Sequence, residues 1–254
     1  MSNRPAGAQE PRGRCIGVGV GPGDPELITL KALRAIQRAP VVAYFVATNR
    51  TSNARRVVEG ELDVPDSARR ELCLTYPVTT EMPAGGAYET LMADFYDASA
   101  KQIAEVLDAG DDVAVLCEGD PFFYGSFMYL HNRLHDRYDV DVIPGVPAML
   151  AGAAALGAPL VCLNEVVSVL SGVLPAAELE ARLRSADATV VMKLGRNLAK
   201  VRDAVERAGL LDRAHYVERV TMTSERLMPL ADVDPSTAPY FSMVIIPSAT
   251  APRR

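Results

Sequence analysis

Residues 15–25 read Cys15-Ile16-Gly17-Val18-Gly19-Val20-Gly21-Pro22-Gly23-Asp24-Pro25, and this stretch decides the fold. Cys15 to Val20 are apolar or glycine throughout, as expected of a strand buried on both faces. Gly21-Pro22-Gly23 is a turn. Asp24 then Pro25 starts a helix, because a carboxylate accepts unpaired backbone N–H groups and proline suits the first helical position. That helix is predicted to run to about Ala39, with Leu27, Leu30, Leu33 and Ile36 toward one face and Pro40 ending it. Val41 to Phe45 is the next strand, so the chain opens with the strand–helix–strand unit of a parallel sheet.

The pattern recurs downstream. Between Ala87 and Ala109 apolar residues recur at helical spacing, and Gly110 supplies a C-cap. Val113 to Cys117 is a continuous apolar strand that delivers the loop Glu118-Gly119-Asp120-Pro121. A strand from Val140 to Ile143 ends in Pro144-Gly145, and an alanine-rich helix follows from about Pro147 to Leu156. Beyond Gly157 the strands Val166–Leu170, Thr189–Leu194, His215–Val220 and Tyr240–Ile246 alternate with helices Ala176–Ser185 and Asn197–Gly209. The expected architecture is two α/β domains: residues 14–145 with a mostly parallel sheet and residues 146–250 with a mixed one. Residues 1–13 read as a disordered tail, polar and without the apolar core of a signal peptide.

Composition narrows the function. With 49% hydrophobic and 23% charged residues the chain has the balance of a globular protein, so wholesale disorder is excluded. A net charge of −6 argues against a partner held through nucleic-acid phosphates, which would need a basic stripe. It leaves room for an anionic small molecule in a locally basic site. The four cysteines, Cys15, Cys73, Cys117 and Cys162, form no close pair and are expected to be buried, reduced packing residues. His131 and His135 share a helix face without the other ligands of a zinc site, and no metal is expected. No apolar run is long enough to cross a membrane, and a cytoplasmic location is expected.

Three loops follow carboxyl ends of predicted parallel strands: Gly21–Pro25, Glu118–Tyr124 and Pro144–Ala148. Ligands of open α/β sheets bind at that edge. The first loop is no phosphate loop, since Asp24-Pro25 stands where Lys-Ser/Thr is required. Nor does it fit the dinucleotide fingerprint: counted from Gly17, Gly19 or Gly21, the last glycine position holds Pro22, Asp24 or Glu26. An acid at such a turn would also repel a pyrophosphate. In the second loop a carboxylate can accept both hydroxyls of a ribose or pair with an ammonium, although Asp120 could equally cap a following helix.

Taken together, Gly19-Val20-Gly21-Pro22-Gly23-Asp24-Pro25-Glu26-Leu27, Gly119 to Gly125 and Pro144-Gly145-Val146 resemble, in order and spacing, the three loop motifs of the tetrapyrrole methylases. The resemblance covers about Arg14 to Pro247. Within the family, Ser52-Asn53-Ala54, Tyr76 to Glu81, Glu118 to Leu130, Met192 to Arg196 and Tyr240 to Met243 resemble the corrin branch. The uroporphyrinogen-III enzymes differ where this chain has Ser126-Phe127-Met128. Pro147 stands where that branch more often has serine.

The resemblance implies two α/β domains with the active site in the cleft between them, a homodimer, and S-adenosylmethionine as methyl donor, leaving as S-adenosylhomocysteine. It implies cofactor contacts at Pro22, Glu118, Gly119, Asp120, Phe123, Pro147, Ala148, Leu194, Val220 and Thr221. The acceptor implied is the C(20) meso carbon of a corrin precursor, metal-free or cobalt-loaded. Its carboxylates would meet Arg55, Arg56, Lys193 and Arg196, with Tyr124 against the ring. Rival readings are a sibling acting on another corrin carbon, an RNA ribose methyltransferase or diphthine synthase of the same fold, and a non-catalytic nucleotide-binding module.

Overall fold

The computed structural model describes residues 12–48, 50–62, 69–77 and 86–250. The chain divides into two compact units, Met1–Val146 and Pro147–Arg254. The disordered tail expected for residues 1–13 falls almost wholly outside the described residues, as does the segment after Pro77.

The first unit holds β1 (Cys15–Gly19), α1 (Leu30–Arg38), β2 (Val41–Ala47), α2 (Asn53–Val57), α3 (Glu59–Leu62), β3 (Arg70–Tyr76), α4 (Gly86–Asp108), β4 (Val113–Cys117), α5 (Phe127–Leu134) and β5 (Val140–Ile143). Its strands lie in the order β3-β2-β4-β1-β5, every pair parallel. Side chains alternate between the faces. Cys15, Val41, Ala43, Phe45, Val113, Val115 and Cys117 pack with residues of α4 and α5. Ile16, Val18, Val42, Ala114 and Leu116 pack with residues of α1, α2 and α3 on the other. With both faces covered, the central strands have no polar side, which is why they read as unbroken apolar runs. Phe127, fully buried, lies so close over β1 that a Cβ on Gly17 would sit 2.4 Å from its ring. Burying such a side chain is worth about 2–3 kcal/mol.

Three expectations need correction here. The helix expected from Asp24 is broken: Asp24 accepts from the Glu26 amide at 2.8 Å and starts only a 3-10 turn, Pro25–Leu27. Ile28 then turns extended, and Thr29 caps α1 by accepting from the Ala32 amide at 3.1 Å. A second capping residue ends the first turn and resets the register. Ala32 and Ile36 therefore face inward, and Leu30 is 68% exposed. Of the cysteines expected to be buried, finally, Cys162 is only half-buried, and Cys73 is exposed because β3 is an edge strand in which Leu74 alone is buried.

The second unit holds α6 (Ala148–Leu156), β6 (Val167–Ser171), α7 (Ala176–Ser185), β7 (Ala188–Met192), α8 (Leu198–Arg207), β8 (His215–Glu218), β9 (Arg226–Pro229) and β10 (Ser242–Ile246). The order is β6-β7-β10-β8-β9, with β6 and β7 parallel and the remaining pairs antiparallel. Residues of α7 and α8 cover one face, and those of α6 the other.

Candidate active site

In the first unit β1 and β4 are adjacent central strands, yet α1 after β1 lies on one face and α5 after β4 on the other. The two loops diverge from a common edge, the switch point at which open parallel sheets bind ligands. Backbone bonds tie the loops together. The Gly119 amide donates to the Gly21 carbonyl at 2.8 Å, and the Val20 amide to the Cys117 carbonyl at 3.0 Å. Gly21 and Gly119 have φ of 82° and 64°, a conformation that favours glycine.

Glycines also explain how close the third loop comes. A Cβ on Gly19 would sit 2.5 Å from the Gly145 nitrogen, and one on Gly145 would sit 2.0 Å from the Gly119 carbonyl oxygen. No other residue fits where three backbones meet. Asp120 closes the arrangement: one carboxylate oxygen accepts from the Phe122 amide at 2.9 Å, the other from the Gly145 amide at 3.1 Å. It thus ties the β4 loop to the β5 loop, and α5 begins only at Phe127.

Glu118 behaves differently. One of its oxygens accepts from the Ala54 amide at 3.2 Å, in the first turn of α2, whose cap is the buried Ser52. The residue as a whole is exposed. Loss of solvent among surrounding protein atoms pushes its pKa up, against donation from its own amide and that of Ala54. Glu118 is the more exposed of the two acids in this loop. Pro22 is buried within the first loop, and Phe123 is half-buried with its ring 5.1 Å from that of Tyr124.

Within the second unit, β7 and β8 both run antiparallel to β10, so their carboxyl ends share one edge of the sheet. Lys193, Leu194 and Arg196 follow β7 there, and Val220 and Thr221 follow β8. Leu194 and Val220 are buried, whereas Lys193 and Arg196 are exposed. Pro147 and Ala148 open α6. Three residues singled out from the sequence have left-handed backbones: Tyr124 (φ 56°), Lys193 (59°) and Thr221 (65°). For residues other than glycine this costs about 1 kcal/mol or more each, and such strain gathers at functional sites. Arg219, which sequence reading missed, is another at 47°. It is held by the buried Glu218 at 2.6 Å, which also accepts from the Tyr216 hydroxyl at 2.8 Å. Burial, then that bond, push the Tyr216 hydroxyl up to about 12.

The basic candidates separate. The Arg55 guanidinium is engaged by Glu71 at 2.9 and 3.0 Å and by Glu59 at 3.3 Å. Arg56, Lys193 and Arg196 are exposed. Among the described residues no group of three or more His, Cys, Asp or Glu side chains is placed to hold a metal ion, and no helix is long and apolar enough to cross a membrane.

With this geometry in hand, the chain belongs to the tetrapyrrole (corrin/porphyrin) methylases, whose family model matches residues 14–234. It is 52% identical over 236 residues to a precorrin-2 C(20)-methyltransferase from Sinorhizobium sp, covering 92% of this chain and 95% of that protein. To the cobalt-precorrin-2 C(20)-methyltransferase of Salmonella typhimurium it is 29% identical over 238 residues, covering 92% and 96%. Among solved structures, uroporphyrin-III C-methyltransferase from Thermus thermophilus in complex with S-adenosylhomocysteine matches with a TM-score of 0.65. That match covers 92% of each chain at 24% identity and concerns the fold.

Proposed function

We propose that this chain transfers a methyl group from S-adenosylmethionine to the C(20) meso carbon of precorrin-2, in cobalamin synthesis. The observation that carries the reading is the 52% identity to the Sinorhizobium enzyme over 92% of this chain, supported by a glycine-lined loop cluster that holds two acids. The lower identity to the cobalt-precorrin enzyme favours the metal-free substrate over its cobalt-loaded counterpart.

The donor fits these residues. Three loops bring glycine backbone to the edge of the sheet with no lysine or arginine from Gly19 to Pro25 or from Glu118 to Gly125, so a pyrophosphate would find no counter-charge. The Glu118 carboxylate suits ribose hydroxyls or an ammonium. When bound, S-adenosylmethionine supplies a sulfonium methyl open to direct displacement by an electron-rich carbon. The chain's task is then to align the two partners and exclude water. Asp120 holds the loops in register, Glu118 grips the donor, and Pro22, Gly119 and Phe123 shape its site. Pro147, Ala148, Leu194, Val220 and Thr221 are further proposed contacts in the second unit. Arg56, Lys193 and Arg196 are exposed cations for the acceptor's carboxylates. Arg55 would have to leave Glu71 to join them. Tyr124, 42% exposed, is proposed to lie against the ring. The protein is proposed to work as a cytoplasmic homodimer without a metal of its own.

Calorimetry tests the cofactor assignment. S-adenosylhomocysteine is expected to bind at about micromolar Kd, or −8 kcal/mol, with no response to NAD or ATP. Because the Glu118 pKa is raised, its anion is lost at a higher pH than that of an ordinary carboxylate. Affinity is therefore expected to fall early on acidification. Binding of NAD or ATP without S-adenosylhomocysteine would overturn the reading.

A further inference from the structure

Ser126 occupies the N-cap position of α5, where serine ordinarily accepts a backbone N–H, yet its hydroxyl makes no such bond. That oxygen is bonded instead to two tyrosines. It pairs with the Tyr76 hydroxyl, and the Tyr96 hydroxyl donates to it at 3.2 Å. Tyr76 is the last residue of β3, and Tyr96 lies on α4, so one serine joins three elements at the carboxyl edge of the sheet. Rings brace the cluster: Tyr76 lies 5.5 Å from Phe45 and 4.9 Å from Phe95, and Tyr96 lies 4.5 Å from Tyr129.

What Ser126 anchors is the aromatic loop before it. That loop folds so tightly that a Cβ on Gly125 would sit 2.6 Å from the Pro121 carbonyl oxygen. Fixing Ser126 therefore fixes Phe122, Phe123 and Tyr124. Phe122, edge-on to His131 of α5 at 5.1 Å, and Tyr124 are 49% and 42% exposed, so the loop presents aromatic surface. Stacking on a conjugated macrocycle is the contact such rings make.

We infer that Tyr76 and Ser126 are positioning residues, holding the Phe122–Tyr124 loop in the pose that receives the tetrapyrrole without touching it themselves. This rests on the methyl-transfer reading above.

The experiment is steady-state kinetics on Tyr76→Phe, Ser126→Ala, Ser126→Thr and the Tyr76→Phe/Ser126→Ala double variant, with S-adenosylhomocysteine calorimetry on the same proteins. Each hydroxyl deletion is expected to raise KM for the tetrapyrrole about tenfold, while S-adenosylhomocysteine affinity, which the loop meets through Phe123 alone, falls by about threefold at most. Ser126→Thr, which keeps the hydroxyl, is expected near wild type. The double variant should be no worse than Ser126→Ala, because the bond that Tyr76→Phe removes is one of the two that Ser126→Ala removes. Unchanged KM in both single variants, additive effects, or cofactor affinity falling in step would overturn the inference. Tyr76→Phe retains its ring contacts and decides the matter alone if Ser126→Ala does not fold. A wild type that methylates no tetrapyrrole would overturn the methyl-transfer reading, and this with it. Turnover with variants like wild type overturns this inference alone.

Discussion

Replacing Gly145 by alanine is expected to abolish S-adenosylhomocysteine binding and to lower the melting temperature of the first unit by about 10 °C. The new methyl would sit 2.0 Å from the Gly119 carbonyl oxygen and 2.8 Å from the Gly19 Cα. Both are main-chain atoms of strands' ends, and neither can swing away as a side chain would. Overpacking usually costs about 1–3 kcal/mol, and backbone against backbone places this substitution at the upper end. The β5 loop must move outward, and the Asp120 bond to the Gly145 amide is lost with it. Gly60→Ala is the control: a Cβ added there would meet no atom within 4 Å, the residue sits in the helical segment α3, and alanine should be neutral or better. Thermal melts and titrations on both variants check the contrast. Gly145→Ala binding like wild type would show that the three-loop junction does not form the cofactor site.

Asp120→Ala is expected to cost about 2–3 kcal/mol and to weaken S-adenosylhomocysteine binding at least tenfold. Two charge-assisted bonds disappear, and the Gly145 amide is left facing the gap. Partial exposure of the pair keeps the loss below that of a fully buried tie. Asp120→Asn should not rescue it. The amide offers one oxygen where the site presents two N–H donors, so its NH2 must face one of them. If both variants melt like wild type and bind equally well, Asp120 does not hold the loops.

Much of this site was legible in the residues because its loops are glycine-rich ends of apolar strands. Val113–Cys117 and Val140–Ile143 coincide with β4 and β5, and Ala176–Ser185 with α7. What escaped has physical causes. Arg70–Tyr76 is an edge strand with one buried side chain, so neither an apolar run nor clean alternation marks it. Arg226–Pro229 is four residues at the outer edge of the second sheet. The short α2 and α3 carry too few turns for periodicity to register. The division of labour between Glu118 and Asp120 could not be read from a pair of acids two residues apart. It follows from contacts distant in sequence, which set the Gly145 amide against Asp120 and the Ala54 amide against Glu118. The Tyr76–Ser126 bond spans 50 residues and likewise has no local signature.

The most direct test of methyl transfer to C(20) is a carbon-13 NMR spectrum of product made from precorrin-2 and S-adenosylmethionine labelled in its methyl group. The macrocycle must present its meso edge to the sulfonium, and fit in the transition state alone distinguishes one ring carbon from another. The predicted result is one new labelled methyl, bonded to the meso carbon between rings A and D. A labelled methyl on a pyrrole-ring carbon would contradict it.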